Sequence, residues 1–218
     1  MRLQERAELQ GKDRFLGVPV KDFEKAGSEQ LAYLLRAGLS PGSKLVDLGC
    51  GVLRGGYWLI HFLDSGNYHG IEPHKERLEI GINIILEPET LKDKRPRFNT
   101  NPCFDTSVFG EKFDFFLAYS VWTHASKLQI QAMLDSFVHD SAEGAAFLAT
   151  YLPAGWRHRD YGGDKWYGTS HESELPGCIH HSSLWIKEAC GSRSLTVEKL
   201  GRDTSHRQSW LKVVRRRT

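Results

Sequence analysis

Residues 46–55 read Val-Asp-Leu-Gly-Cys-Gly-Val-Leu-Arg-Gly, and this stretch decides the fold of the chain. The pattern from Lys44 to Leu48 predicts a buried strand, and the glycines after it lead into a helix. Two glycines at this point let the backbone approach a ligand with no side chain between them. The stretch therefore predicts a nucleotide-like cofactor at the carboxyl end of the first strand of a parallel sheet.

Strand and helix patterns alternate from Lys44 to Leu152, which predicts an open, mostly parallel α/β sheet with helices on both faces. Strands are predicted at residues 44–48, 68–72, 97–104, 113–119 and 145–152, and helices at 28–37, 57–63, 75–86 and from Ser126 onward, where Ser126 and Gln129 form a capping box. A helix capped by Ser182 or Ser183 follows. The last two strands, 194–200 and 209–214, are joined by a short polar connection, so we expect them to pair antiparallel.

The length of 218 residues suits one domain with a full core. We expect an N-terminal segment over residues 1–27 and a single domain over 28–218. Within it, residues 153–180 break the periodic pattern and are rich in Gly, His, Trp and Tyr. Because disordered tracts are poor in aromatic residues, this composition favours a lid-like insertion.

The composition is ordinary for a soluble globular protein, with 40% hydrophobic and 26% charged residues. No apolar run is long enough to cross a bilayer, and the polar N-terminus does not resemble a secretory signal. The four cysteines are scattered and lack a C-x-x-C spacing, so we expect a reduced, cytoplasmic protein. No metal site is expected, because Cys178, His180 and His181 have no fourth ligand at a recognisable spacing.

Asp47 and the last position of the glycine loop distinguish between cofactor classes. Dinucleotide enzymes carry G-x-G-x-x-G, whereas Arg54 occupies the final position here. Asp47 would repel a pyrophosphate and suits a cofactor with a cationic centre and an amino group. Glu72, about 20 residues beyond the loop, can accept hydrogen bonds from ribose hydroxyls; the alternative is a surface carboxylate at the end of a strand.

These motifs resemble those of the class I methyltransferases that use S-adenosylmethionine. Residues 47–51 are similar to that family's first motif, D-x-G-x-G, residues 70–73 to its second, and residues 113–124 to the motif around its fourth strand. The third glycine that the family often carries is Leu53 here. The resemblance covers residues 28–152 well and the C-terminal strands loosely. It implies a Rossmann-like class I methyltransferase sheet and S-adenosyl-L-methionine as the cofactor.

The resemblance also assigns roles to individual residues. Loop residues would face the methionine part of the cofactor through backbone atoms. Arg54 would either reach the carboxylate of that methionine part or lie solvated at the start of the helix. Glu72 would hold the ribose, and the residues after the third strand would lie near the adenine. The implied cofactor-binding residues are Asp47, Gly49, Cys50, Gly51, Arg54, Glu72, Pro73, Asn101, Phe104, Tyr119 and Ser120. Asp105 is either an adenine neighbour or a turn residue, and Gln30 is expected on the surface of its helix, with closure over the cofactor as the alternative.

Methyl transfer requires an aligned nucleophile, and a general base also helps when the nucleophile is a hydroxyl or a protonated amine. His124 is the leading candidate, because it follows the fourth strand at the edge where ligands bind. The alternative is that His124 hydrogen-bonds the start of the next helix. His180 and His181 end the predicted lid and precede a helix, so either could project into the pocket, and His181 is the second catalytic candidate. His158 and His171 are further possibilities within the lid.

The aromatic, histidine-rich lid favours a small-molecule methyl acceptor with an oxygen or nitrogen nucleophile. An RNA or protein methyltransferase is the main rival, but only the C-terminal arginines and a few dispersed basic residues favour it, and the net charge of +2 argues neither way. A nicotinamide-dependent oxidoreductase and a non-catalytic cofactor-binding module are two further classes that could use such a loop. The sequence indicates no membrane partner.

Overall fold

A computed structural model describes residues 2–11, 22–169, 172–173, 175–204 and 207–216. His171 and much of the expected N-terminal segment, residues 12–21, lie outside the described residues. The domain boundaries expected from the sequence stay predictions, although a helix that begins at Phe23 runs across the expected boundary at residue 27.

Seven strands in the described ranges form one sheet, with the spatial order β3-β2-β1-β4-β5-β7-β6. The strands are β1 (Leu45–Leu48), β2 (Tyr68–Ile71), β3 (Arg97–Asn99), β4 (Phe113–Ala118), β5 (Ser141–Tyr151), β6 (Leu195–Arg202) and β7 (Ser209–Arg215). The first five are parallel, and β7 pairs antiparallel with both β5 and β6. The expected sheet, with its antiparallel C-terminal pair, is confirmed.

The helices are α1 (Leu3–Gln10), α2 (Phe23–Arg36), α3 (Gly56–Phe62), α4 (Lys75–Ile80), α5 (Pro88–Lys94), α6 (Lys127–Asp140) and α7 (Ser183–Gly191). The capping box of Ser126 and Gln129 is confirmed at α6, and Ser182 caps α7. The helix predicted over 75–86 is α4 followed by a π-helical turn, Gly81–Ile85. Helices α1 and α5 were not predicted, since α5 buries no residue and so has no apolar stripe to detect.

The third strand is shorter than predicted. It ends at Asn99, and the chain then turns through Phe104, whose φ is 55°, into a short 3₁₀ helix, Thr106–Phe109. Asn101 stabilises this turn, because its side chain bonds to Asn99 and to the main chain of Asp105. These local side-chain bonds compete with strand pairing.

The core covers both faces of the sheet. On one face, residues such as Phe116 and Phe147 pack with α6 and α7, and on the other, residues such as Leu117 and Trp210 pack with α2 and α3. This explains the almost continuous apolar run of β4. The direction of winding reverses between β1 and β4, and ligands bind in such sheets beyond the carboxyl ends of the strands at that reversal.

The predicted lid contains no helix or strand among its described residues. Two isolated bridges, Pro153 with His181 and Asp160 with His180, hold its ends together. No helix in the described ranges is long and apolar enough to span a membrane. The same residues contain no group of three or more His, Cys, Asp or Glu side chains that could hold a metal ion.

Candidate cofactor and active site

The loop after β1 follows a left-handed backbone at both of its glycines, with φ of 75° at Gly49 and 58° at Gly51. A Cβ atom on Gly49 would lie 2.6 Å from Cγ2 of Val121, so this glycine permits close packing. A Cβ atom on Gly51 would meet no atom within 4 Å. The main chain at Gly51 therefore borders open space and is accessible to a ligand.

Leu53, in place of the third glycine, also has a left-handed backbone, with φ of 62°. This conformation costs a non-glycine residue about 1–2 kcal/mol. The Leu53 side chain is fully buried. A Cβ atom added to Gly56 would lie 2.9 Å from Cδ2 of Leu53, and a Cβ atom added to Gly81 would lie 2.7 Å from Cγ of Leu53. Glycines at these two positions make room for the leucine, whose burial offsets the backbone cost.

A cleft of about 360 Å³, including open solvent, lies above this loop. It is lined by Gln30, Asp47, Gly49, Cys50, Gly51, Val52, Arg54, Gly55 and Tyr119. Helix α2 supplies one wall of the cleft through Gln30. A Cβ atom added to Gly55 would lie only 2.1 Å from Oε1 of Gln30, so the glycine leaves room for this side chain. Gln30 is buried, so the helix-surface position expected from the sequence was wrong.

Two buried carboxylates lie beside the loop. Asp47 accepts a hydrogen bond from the Tyr68 hydroxyl at 2.8 Å, and burial raises the pKa of Asp47 to about 7. Glu72 accepts hydrogen bonds from the N–H groups of Gly51 at 2.8 Å and His74 at 2.9 Å. Burial raises the pKa of Glu72 despite these bonds, and with 5% exposure it is not a surface carboxylate. A positively charged ligand would favour the ionised form of both acids.

Arg54 lies in the cleft wall with its guanidinium carbon 5.7 Å from the centre of the Tyr119 ring. Its Nη1 atom is buried and has no hydrogen-bond partner among the described residues, and burial lowers the pKa of the guanidinium. Arg54 is half-buried, which favours the ligand-facing role over the alternative of a solvated arginine at the helix start, and that role stays a prediction. An unpaired buried donor is costly, and the carboxylate of a ligand would satisfy it.

Tyr119 and Ser120 follow β4 and connect the cleft to the turn between β6 and β7. The Tyr119 hydroxyl donates to Oδ2 of Asp203 at 2.9 Å. The Ser120 N–H donates to Oγ1 of Thr150 at 2.7 Å, and Nε2 of Gln208 donates to Oγ of Ser120 at 2.9 Å. Sequence reasoning missed Asp203 and Gln208, because only the folded sheet brings their turn to this edge.

The residues predicted near the adenine do not line this cleft. The side chain of Asn101 supports its own loop, and Asp105 caps the following 3₁₀ helix by accepting a hydrogen bond from the N–H of Ser107. Phe104 is 1% exposed and stacks on Trp166 with ring centres 6.2 Å apart. Pro73 is half-buried next to Glu72. Contact of Pro73, Asn101 or Phe104 with a cofactor stays a prediction.

His124 contacts the lid rather than the next helix. Its Nδ1 lies 2.8 Å from the carbonyl oxygen of Tyr167, whose own N–H donates to the His124 carbonyl at 2.8 Å. The ring stacks on Trp166, and its Nε2 lies 3.9 Å from Sγ of Cys178. Because a carbonyl only accepts hydrogen bonds, Nδ1 carries the proton, and Nε2 holds the lone pair in the neutral ring. Burial lowers the pKa of His124, which favours that neutral form.

His181 has no exposed surface, and its Nε2 donates to the carbonyl of Ala125 at 3.0 Å. Burial lowers the pKa of this ring as well. His158 and His180 stack on each other with ring centres 4.2 Å apart. The contacts of His181 account for a structural role where the lid joins α7, and its catalytic role stays a prediction that these contacts do not favour.

Comparison with known proteins identifies the fold. No protein-family model matches the chain, and no curated protein sequence matches it. Among solved structures, the chain is similar to magnesium protoporphyrin IX methyltransferase (ChlM) from Synechocystis PCC 6803 with bound SAH, at 16% identity and a TM-score of 0.64, over 97% of this chain and 93% of that chain. It is equally similar to Streptomyces venezuelae DesVI, at 16% identity and a TM-score of 0.64, over 99% of both chains.

A third similar structure is the glycopeptide N-methyltransferase MtfA complexed with S-adenosylmethionine, at 11% identity and a TM-score of 0.64, over 87% of this chain and 94% of that chain. Likeness at such low identity establishes the fold. The chain has the Rossmann-like fold of the class I methyltransferases, in agreement with its strand order and with the motifs in its sequence.

Proposed function

We propose that this protein is an S-adenosylmethionine-dependent methyltransferase that methylates an oxygen or nitrogen nucleophile of a small molecule. The proposal rests on one observation, namely the chemistry of the cleft at the carboxyl end of β1. There Asp47, Gly51 and Arg54 line one cleft, Nη1 of Arg54 has no partner among the described residues, and the buried Glu72 accepts a hydrogen bond from the Gly51 N–H. This set of groups fits a ligand that carries a carboxylate, a ribose and positive charge.

Each group has a defined task in this proposal. Arg54 pairs with the carboxylate of the methionine part, and Asp47 offsets the positive charge beside it. Glu72 holds Gly51 in place and accepts from the ribose hydroxyls with its remaining lone pairs. When bound, S-adenosylmethionine supplies a methyl group that is already activated for displacement. The protein therefore needs to orient the acceptor, exclude water and remove a proton.

His124 is the proposed general base. Its Nε2 carries the lone pair, and the lowered pKa keeps the ring neutral, so that it can accept a proton from an acceptor at neutral pH. The hydrogen bond to Tyr167 also holds part of the lid over this edge of the sheet. In this scheme His181 supports the base of the lid.

The similar proteins support the cofactor and the acceptor class. Two of the solved structures hold SAH or S-adenosylmethionine, and magnesium protoporphyrin IX is a small molecule. We also propose a cytoplasmic location, which the four free cysteines of the described chain support.

Calorimetry on the full chain tests the cofactor assignment. S-adenosylmethionine and SAH are expected to bind in separate titrations, and NAD is expected not to bind. Binding of NAD in place of both nucleosides would overturn the proposal. If S-adenosylmethionine binds, release of SAH is then followed against a panel of small O and N acceptors and an RNA pool. Turnover of a small acceptor that does not change with salt supports the small-molecule class, whereas steeply salt-dependent turnover of RNA contradicts it.

A further inference from the structure

A second cavity, which we call the flank pocket, lies between α7 and strands β5, β7 and β6. It encloses about 460 Å³, including open solvent, and is lined by Tyr151, Ser183, Ile186, Lys187, Val197, Lys199 and Leu211. Tyr151, Ile186 and Leu211 belong to the core on the α6 and α7 face, whereas Cys50 and Tyr119 of the cofactor cleft belong to the core on the opposite face. The flank pocket is therefore a separate site from the cleft.

The inner surface of the flank pocket is apolar. Tyr151, Ile186 and Leu211 are buried, and Val197 is half-buried. Ligand pockets usually combine such a surface with a few polar groups that fix the orientation of the ligand. An aliphatic chain or an aromatic ring would replace water against these side chains.

The exposed part of the flank pocket is positively charged. Lys187 of α7 and Lys199 of β6 are both exposed, and neither forms an ion pair or side-chain hydrogen bond within the described part of the chain. The lining residues include no acid. Two unpaired ammonium groups beside an apolar surface are complementary to a ligand with an apolar body and an anionic head.

The pocket also contains neutral hydrogen-bonding groups. The hydroxyl groups of Tyr151 and Ser183 lie 2.8 Å apart, and each has capacity for a further hydrogen bond. Ser209 pairs with Tyr151 across the β5–β7 ladder, so its side chain lies on the same sheet face, and its buried hydroxyl has no partner among the described residues. Tyr151 and Ser183 flank the predicted lid in sequence, so a ligand here would contact residues just before and just after that segment.

We propose that the flank pocket binds a small amphipathic organic anion, with its apolar body against Ile186, Val197 and Leu211 and its carboxylate between Lys187 and Lys199. The site is independent of the cofactor cleft and does not require the proposed methyltransferase activity.

Calorimetry with decanoate as the probe tests this proposal on the full chain. Decanoate is expected to bind, and decyltrimethylammonium, with the same chain length and the opposite charge, is expected to bind at least about tenfold more weakly. The double variant Lys187→Ala/Lys199→Ala should weaken decanoate binding by about tenfold or more. The matched control Lys25→Ala/Lys92→Ala removes the same charge from exposed lysines elsewhere and should leave decanoate binding unchanged.

A second variant tests the apolar surface. Val197→Phe should fill the flank pocket and abolish decanoate binding, while an unchanged circular dichroism spectrum and unfolding midpoint report that the variant is folded. Binding of S-adenosylmethionine, titrated in parallel, should stay at the wild-type level. Failure of decanoate to bind, equal affinity for the cation, or a double variant that behaves like its control would each overturn the proposal. The parallel titration separates these results from a failure of the cofactor assignment.

Discussion

The loop after β1 and the predicted lid meet the same edge of the sheet, but they are built in opposite ways. In the loop, glycine leaves space beside the main chain, and a buried nitrogen of Arg54 has no partner among the described residues. At the lid, two hydrogen bonds join His124 to Tyr167, so these polar atoms are already paired. The loop therefore retains unused hydrogen-bonding capacity for a ligand, whereas His124 is already bonded to the lid.

The largest expected effect comes from filling the space at Gly51. Gly51→Val should abolish binding of S-adenosylmethionine, a loss of more than about 4 kcal/mol, because the side chain occupies the approach to the main chain. Gly110→Val is the matched control, since Gly110 also has a left-handed backbone, with φ of 66°, and open space around its Cα. Both positions have a positive φ, so valine strains the backbone at each of them. Equal cofactor affinity of the two, measured by calorimetry, would contradict the role of the loop.

A change at His124 tests whether the paired histidine also performs chemistry. His124→Ala should lower turnover about 100-fold, at the low end of general base catalysis, with little effect on cofactor affinity. His124→Asn keeps a donor for the Tyr167 carbonyl but cannot accept a proton, so its turnover should stay low. Normal turnover of the asparagine variant would instead assign His124 to holding the lid alone.

The buried titratable groups of the two regions predict opposite dependences on pH. Because the folded-state pKa of Asp47, about 7, exceeds its ordinary value of 3.8, its contribution to stability is greatest at low pH and is lost as pH rises through 7. Between pH 5 and 8 the free energy of unfolding should fall by about 2–3 kcal/mol more in the wild type than in Asp47→Asn. For His124 and His181 the folded-state pKa is lowered, so their contribution is lost as pH falls below the ordinary histidine value.

Urea unfolding of the cofactor-free protein at several pH values checks the prediction for Asp47. Identical pH profiles for the wild type and Asp47→Asn would show that Asp47 titrates normally in the folded state.

The smallest of these effects is expected for cofactor affinity when Glu72, beside the loop, is replaced. Glu72→Ala should weaken binding of S-adenosylmethionine by about 1–3 kcal/mol, because the ribose loses a charged acceptor and Gly51 loses its hydrogen bond. Glu79→Ala removes an exposed carboxylate from the neighbouring helix and serves as the control. Calorimetry that gives both variants wild-type affinity would exclude Glu72 from the cofactor site.

The features predictable from the sequence are those set by local pattern. The glycine loop, the acid at the end of β2, the capping box of α6 and the antiparallel C-terminal strands all depend on residues close together in the chain. Each has a physical requirement that only a few residue types meet, such as the left-handed backbone at Gly49 and Gly51.

The features that could not be predicted depend on contacts between distant segments. Gln30 reaches the cleft because Gly55 leaves room for it, and Asp203 reaches Tyr119 across 84 residues of sequence. Leu53 keeps a left-handed backbone only because Gly56 and Gly81 make space for its side chain. Burial of His181 depends in the same way on how the lid folds back onto the sheet.

A crystal structure of the full chain with bound SAH is the decisive test of the cofactor site. We expect the nucleoside to lie against the main chain at Gly51, with its ribose at Glu72 and its carboxylate at Arg54. A structure in which SAH binds away from these three residues would contradict the assignment of the loop.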